Sequence, residues 1–174
     1  MTELSFRAAS RADLPKILDL LTASGLPLEG VEAHVDSFLV VFQNGGLVAC
    51  AGLERYGVAA LLRSVAVAKT HRGNGLGQRL VAQLVEIAHA DGIESLVLLT
   101  VTKTGFFERF GFQVISRADA PAAVQYSVQF QTVCPASAKV MRLDIPRAEN
   151  LQKGQLPNTE QSCDSQSTET RKGR

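Results

Sequence analysis

Three glycines at alternate positions, Gly73, Gly75 and Gly77, join a valine- and alanine-rich run to an amphipathic one in "VAVAKTHRGNGLGQRLV", residues 65–81. A loop of this kind at a helix start leaves the first-turn backbone N–H groups without partners inside the helix. The helix dipole adds about half a positive charge at the same place. Glycine lets an anion approach the backbone closely, and Arg72 can add a charge-assisted donor. The junction therefore suits a phosphate. A P-loop ends in Gly-Lys-Ser/Thr, whereas Gly77 is followed by Gln78. A dinucleotide fingerprint needs G-x-G-x-x-G inside a parallel βαβ unit, whereas the spacing here is G-x-G-x-G after an antiparallel hairpin.

The surrounding patterns predict a mixed α+β architecture. "LSFRAAS" reads as an opening strand, and residues 10–24 as a helix with Ser10 as N-cap, Asp13 at a capping-box spacing and a stripe of Ile17, Leu18, Leu20 and Leu21. Residues 28–37 read as a second, shorter helix. "FLVVFQNGGLVACAGLERYG" is a hairpin turned by Asn44, Gly45 and Gly46. "VAALLRSVAVA" is a third consecutive strand, interrupted by the polar pair Arg63 and Ser64. Residues 77–90 form an amphipathic helix through Leu80, Val81, Leu84, Ile87 and Ala88. Then follow a buried strand "ESLVLLTVT", a short helix "KTGFFERF", a strand "GFQVISR", a long connection with a helix expected over residues 121–133, and a closing strand "AKVMRLDI".

The formal net charge of +1 gives no global field that would draw the chain to nucleic acid or an anionic membrane. No apolar run is long enough to span a bilayer, and the first residues lack a signal-peptide pattern, so a cytoplasmic protein is expected. Cys50, Cys134 and Cys163 are an odd number at wide spacings, which suits neither a disulfide framework nor a zinc site, so reduced, unpaired thiols are expected. His34, His71 and His89 have no metal-ligand spacing, and no metal is expected. The expected division is one folded domain, residues 1–146, and a polar, disordered tail, residues 147–174.

Taken together, "LLRSVAV", "RGNGLG" and "FFERFGFQVI" resemble motif A and the following signature of the GNAT acetyltransferases, in order, spacing and element type. The resemblance implies the GNAT acyl-CoA N-acyltransferase fold, an α/β mixed sheet of about seven strands flanked by four helices. Within the family, "GLERYG" and "VQFQTVCPASAKVM" are similar to the N-acetyltransferases of bacterial arsenic-resistance operons, themselves related to the module that acetylates glutamate. The implied activity is transfer of an acetyl group from acetyl-CoA, as cosubstrate, to the amine of a small amino acid or amino-acid-like toxin. A protein or peptide acetyltransferase and a non-catalytic acyl-CoA sensor are the alternatives. GNAT proteins often form homodimers, and no nucleic-acid or membrane partner is implied.

The resemblance also implies roles residue by residue. The backbone of Val65, Ala66 and Val67 would pair with the pantetheine arm, and an amide near Val65 would hold the developing oxyanion. Arg72, Gly73, Asn74, Gly75, Leu76 and Gly77 would take the pyrophosphate. Thr100 stands where many members carry an asparagine that reaches pantetheine, and Phe107 where the usual thiolate donor is a tyrosine. That departure leaves the proton to water, Tyr56, Tyr126 or no specific group. Glu54, an acid in an otherwise apolar strand, is the expected general base. Arg63, with Arg117 and Lys139, could hold a substrate carboxylate; a salt bridge between Arg63 and Glu54 is the structural alternative, and both could hold.

Overall fold

The computed structural model describes residues 3–147. Seven strands form one sheet: β1 (Ser5–Ala8), β2 (Phe38–Gln43), β3 (Gly46–Tyr56), β4 (Ala59–Val67), β5 (Ser95–Thr100), β6 (Gln113–Ile115) and β7 (Lys139–Asp144), in the spatial order β1-β2-β3-β4-β5-β7-β6. The hairpin between β2 and β3 turns on Asn44 and Gly45, both at positive φ (51° and 76°), as a two-residue turn matching strand twist requires. All pairings are antiparallel except β4 with β5, which are parallel and joined through the helix that follows the glycine loop. The sheet is therefore mixed.

Four α-helices cover it: α1 (Leu14–Ala23), α2 (Leu76–Ala90), α3 (Thr104–Glu108) and α4 (Ala122–Gln125). On one face α2 lays Leu76, Leu80, Val81, Leu84 and Ala88 against Ala49, Ala51, Leu53, Ala60 and Leu62 of β3 and β4. Each large side chain so buried contributes about 1.5–3 kcal/mol, which fixes the start of α2, and hence the glycine loop, over the middle of the sheet. The opposite face carries two separate apolar clusters. One is built from α1, Val31, Val35, Phe38, Val40, Cys50 and Ala66; the other from Ala59, Leu61, Val97, Val140, Val124 and Phe130. A polar seam runs between them, and the candidate site lies along it.

Several sequence-based boundaries are corrected. Residues 28–37 do not make an α-helix; only a 3-10 turn, Glu32–Ser37, forms there, after Gly30 at φ 78°. The helix expected over residues 121–133 is split: α4 ends at Gln125, and a π-helical turn spans Gln129–Val133. Buried Ser127 lies at the break, its hydroxyl accepting from the Phe130 N–H, an instance of local side-chain bonding competing with helix continuation. The strand expected in "GFQVISR" shrinks to the three residues of β6. The expected tail beyond Arg147, with Cys163, lies outside the described residues. Among the described residues no helix is long and apolar enough to cross a membrane, and no three His, Cys, Asp or Glu side chains are placed to hold a metal ion.

Candidate active site

A cleft opens where β4 leaves β5. The parallel pairing covers only Ala59, Ala60 and Leu61 against Ser95, Leu96 and Val97. Beyond Leu61 and Val97 the two strands are no longer paired, although β5 continues to Thr100. On its other edge β4 is bulged: Gly52 opposes Arg63 and Cys50 opposes Ala66, so Ser64 and Val65 together face Ala51. Ser64 sits at φ 56°, a left-handed conformation that costs a residue with a side chain about 1–2 kcal/mol. The polar interruption Arg63-Ser64 read in the sequence is this bulge. Gly52 belongs to the same joint, because a Cβ there would overlap the Phe38 ring.

Val65 and Val67 lean toward the α2 side of the sheet, while Ala66 is buried on the α1 side. At the end of β4 the loop from Arg72 to Gly77 enters α2, whose first residue is Leu76. Gly73 and Gly75 are at φ 83° and 73°, and a Cβ at Gly73 would meet nothing within 4 Å, so the loop is open on that side. Arg72 is exposed and donates from Nε to the Val67 carbonyl at 2.8 Å, tying the loop back onto the strand. His71 anchors the preceding turn, its Nε2 2.6 Å from Gln43 Oε1 on β2. No sequence signal pointed to His71, since the pairing depends on β2 lying beside this turn.

Across the cleft, Thr100 ends β5 and accepts through Oγ1 from the Lys103 N–H at 3.1 Å. Phe107, expected to face the cofactor, is buried in the core, edge-on to Phe106 and Phe112 with ring centroids 5.0 and 5.9 Å away. Phe106 is the ring that stands beside the cleft. The Cβ position of Gly77 lies 3.5 Å from a Val67 methyl and 3.6 Å from the Phe106 ring tip, so strand, helix start and α3 converge there. A side chain at residue 77 would press on both walls.

The polar seam is organised by Glu54 and Arg63, whose side chains are 3% and 0% exposed and form a close ion pair between Oε1 and a guanidinium nitrogen. Every guanidinium nitrogen has a partner: Nε donates to Ser64 Oγ at 3.2 Å and Nη2 to the Glu29 carbonyl at 2.6 Å. The other Glu54 oxygen accepts from the Tyr56 hydroxyl at 2.7 Å and lies 4.0 Å from His34 Nε2. Gly30 completes the enclosure, its Cβ position only 2.9 Å from the Arg63 guanidinium. Burial first, and then the bond to Glu54, hold the Tyr56 phenol above its ordinary pKa, while the Arg63 charge and a hydrogen bond with Ser127 work the other way. Tyr56 is thus a poor acid and a persistent donor. Because residues i and i+2 share one face of a strand, Glu54 and Tyr56 were a legible pair; their links to His34 and Ser127 were not.

Arg63 is accordingly enclosed rather than offered to a carboxylate. Arg117 is half-buried and donates to the carbonyls of Phe130 and Pro135 at 2.9 and 3.3 Å, with no carboxylate partner among the described residues. It clasps the connection between β6 and β7 from within. Lys139 is exposed and paired in register with Thr100. Tyr126, considered as a proton donor, is 76% exposed. Cys50 packs as an apolar residue, with burial pushing its thiol up to about 12, and burial likewise raises Cys134 against the opposing charges of Arg117 and Arg63. Both thiols are free.

Comparison with known proteins bears on this geometry. Residues 34–114 match the family model of the acetyltransferase (GNAT) domain. The amino-acid acetyltransferase of Neisseria meningitidis is 30% identical over 127 residues, and an uncharacterized N-acetyltransferase of Chlorobaculum tepidum is 27% identical over 123, in each case 68% of this chain. The match covers 29% of the Neisseria protein and 79% of the Chlorobaculum one, so this chain spans well under two thirds of the amino-acid acetyltransferase. Among solved structures, N-acetylglutamate synthase of Neisseria gonorrhoeae, complexed with coenzyme A and N-acetyl-glutamate, superposes with a TM-score of 0.71 at 24% identity over 84% of this chain and 36% of that one. A Mycobacterium tuberculosis protein in complex with CoA and NLQ gives 0.70 at 23% identity, over 82% of this chain and 99% of that one. The described chain has the GNAT fold, and its residues 34–114 are a GNAT acetyltransferase domain.

Proposed function

We propose that this protein is an acetyl-CoA-dependent N-acetyltransferase whose acceptor is the amine of a small amino acid. The observation that carries the reading is the parting of β4 and β5 beyond Leu61 and Val97 directly beside the glycine loop. The free β4 edge at Val65, Ala66 and Val67 suits the amide-bearing arm of the coenzyme, and Arg72, Gly73, Asn74, Gly75, Leu76 and Gly77 suit its pyrophosphate. Thr100 closes the opposite wall. In this reading Phe106, rather than Phe107, is the ring next to the bound arm. Acetyl-CoA supplies an activated acyl group; this chain's own work is to align it with the amine and remove protons from the ammonium.

Glu54 is the proposed proton acceptor, with Arg63 fixing its orientation rather than gripping substrate. The charge for an acceptor carboxylate then falls to Arg117, with Lys139 at the rim. The amino-acid acetyltransferase names among the relatives support this class of acceptor. Within that class we further propose an acidic or arsenical amino acid, a finer reading that rests on the motif resemblance to the arsenic-resistance group.

Calorimetric titration with acetyl-CoA, followed by a thiol-release assay over glutamate, arsenical amino acids, other amino acids and peptides, tests these readings. Binding and turnover with acidic or arsenical amino acids are expected. Binding without turnover across the panel would point to an acyl-CoA sensor. Turnover on peptides alone would overturn the small-molecule assignment, and no binding would overturn the whole reading.

A further inference from the structure

Glu54 is nearly sealed. Arg63 occupies one oxygen and Tyr56 donates to the other, and only 3% of the side chain is exposed. A base so enclosed must nevertheless return each proton it takes, or it works once. Arg63 cannot carry a proton away, because a guanidinium is not deprotonated in proteins. Tyr56, whose phenol is a persistent donor, is poorly disposed to become an anion. The remaining titratable neighbour is His34, which reaches Glu54 from the 3-10 turn Glu32–Ser37: its Nε2 is 4.0 Å from Oε2, and 34% of its side chain is exposed. One end of that imidazole is beside the buried carboxylate and the other part is wet.

Resting on the acetyltransferase reading, we infer that His34 is the proton outlet of Glu54, a relay residue joining the buried carboxylate to solvent. Each turnover forms a C–N bond and breaks a C–S bond; the ammonium gives up two protons, the departing thiolate takes one, and one is left over. Glu54 Oε2 accepts that proton, His34 Nε2 takes it through one bridging water or a small ring rotation, and the ring passes it to bulk water or buffer. The carboxylate is restored, and no other reactant is needed. An imidazole suits the task because its ordinary pKa lies where both protonation states are populated near neutrality.

The charges around His34 do not offer another route. From β3 it faces Glu54, whose Oε2 also accepts from Tyr56 and whose Oε1 is held by Arg63 of β4, while Arg55 of β3 is engaged with Ser37 at the end of the same turn and with Asp91. The neighbouring 3-10 turn Arg11–Asp13 contributes Asp13, already bound by Arg7 through both oxygens at 2.8 Å. On its own turn, Glu32 and Asp36 are exposed. Among the described residues, His34 is therefore the imidazole placed beside Glu54, 4.0 Å from Oε2.

The test uses the full chain with His34→Gln and His34→Ala, comparing kcat, KM, coenzyme affinity and the pH profile of kcat with the parent. At least a tenfold fall in kcat is expected in both variants, with KM and coenzyme affinity within about twofold. Added imidazole should restore His34→Ala in proportion to its concentration and leave the parent unchanged. Loss of packing alone would produce neither that rescue nor a changed pH profile. If the parent turns over and both variants match its kcat and pH dependence, the inference is overturned and the acetyltransferase reading stands. If the parent binds coenzyme but releases no thiol with any amine, both are overturned.

Discussion

Replacing Arg63 by methionine should expose how far the Glu54–Arg63 pair is a structural element. The two side chains are 3% and 0% exposed, so Arg63→Met leaves a carboxylate buried without its cation, and the Glu29 carbonyl loses its donor. Breaking a buried pair from one side costs about 3–5 kcal/mol, because the surviving charge is uncompensated. At about 2–4 °C per kcal/mol for a domain of this size, Tm should fall by about 6–20 °C. Glu54→Gln, which strands the arginine, should cost a similar amount. The double variant Glu54→Gln/Arg63→Met removes both charges, and a neutral amide can still accept from Tyr56. It should lose only about 1–2 kcal/mol, chiefly for the unpartnered carbonyl. Urea unfolding of the four proteins, followed by circular dichroism, gives the cycle; a coupling of several kcal/mol is expected, with the double variant more stable than either single one. Additive losses would refute the reasoning, since they would mean that solvent or another group already compensates each charge.

Gly75→Val should weaken coenzyme binding at least tenfold by titration calorimetry and lower stability by about 1–2 kcal/mol, because the N-cap of α2 sits at φ 73°. Gly52→Ala should cost about 1–3 kcal/mol in urea unfolding, since its methyl group overlaps the Phe38 ring and the bulge beside it leaves little room to retreat. The hydrogen bonds from Arg7 hold the Asp13 carboxylate well below its ordinary pKa against the opposing effect of burial. A depressed folded-state pKa means that this stability is present above the usual carboxylate range near 3.9 and is lost as pH falls below it. Asp13→Asn should flatten that acid limb in a pH series of unfolding curves, and an unchanged limb would remove the pair from the account. A chain ending at Arg147 should fold and bind acetyl-CoA as the full chain does; loss of either would refute the proposed domain boundary.

Much of the architecture was legible because period and punctuation agree along most of the chain. Asn44-Gly45 announced the hairpin, and Leu80, Val81, Leu84 and Ala88 announced the face of α2 that would be buried. The glycine loop was legible for a related reason: helix-entry glycines carry their conformational meaning locally. Residues 121–133 were misread as one helix because the competing bond at Ser127 becomes visible only when the buried hydroxyl is placed. The 28–37 segment failed likewise, its shape being set by Gly30 fitting under Arg63 and not by local propensity.

The candidate site divides along the same line. Glu54 and Arg63 stood out as charges in apolar strands, and both their pairing and their separate roles were open until the register placed them on one face. Phe107 was assigned to the cleft by position in a motif, yet the ring beside Val67 is Phe106, a difference of one helical residue, or about 100° of rotation. His34 carried no signal, because only the turn that precedes β2 brings it to Glu54. Contacts made across the sheet are invisible to any local pattern.

The extra residue at Ser64 also works as a parity switch. Before it, odd-numbered Leu61 points toward the α4 side; after it, odd-numbered Val65 and Val67 point toward α2, and even-numbered Ala66 takes the other side. Drawing Ser64 into regular pairing, with the bulge ironed flat, would therefore do more than straighten a strand. It would turn every later side chain of β4 inside out, carrying two valines into the layer now filled by Cys50 and Ala66 and leaving alanine where Val67 meets Gly77 and Phe106. The bulge, which takes Ser64 out of the pairing, is thus what keeps the charged seam on one face of the strand and Val65 and Val67, the proposed coenzyme wall, on the other.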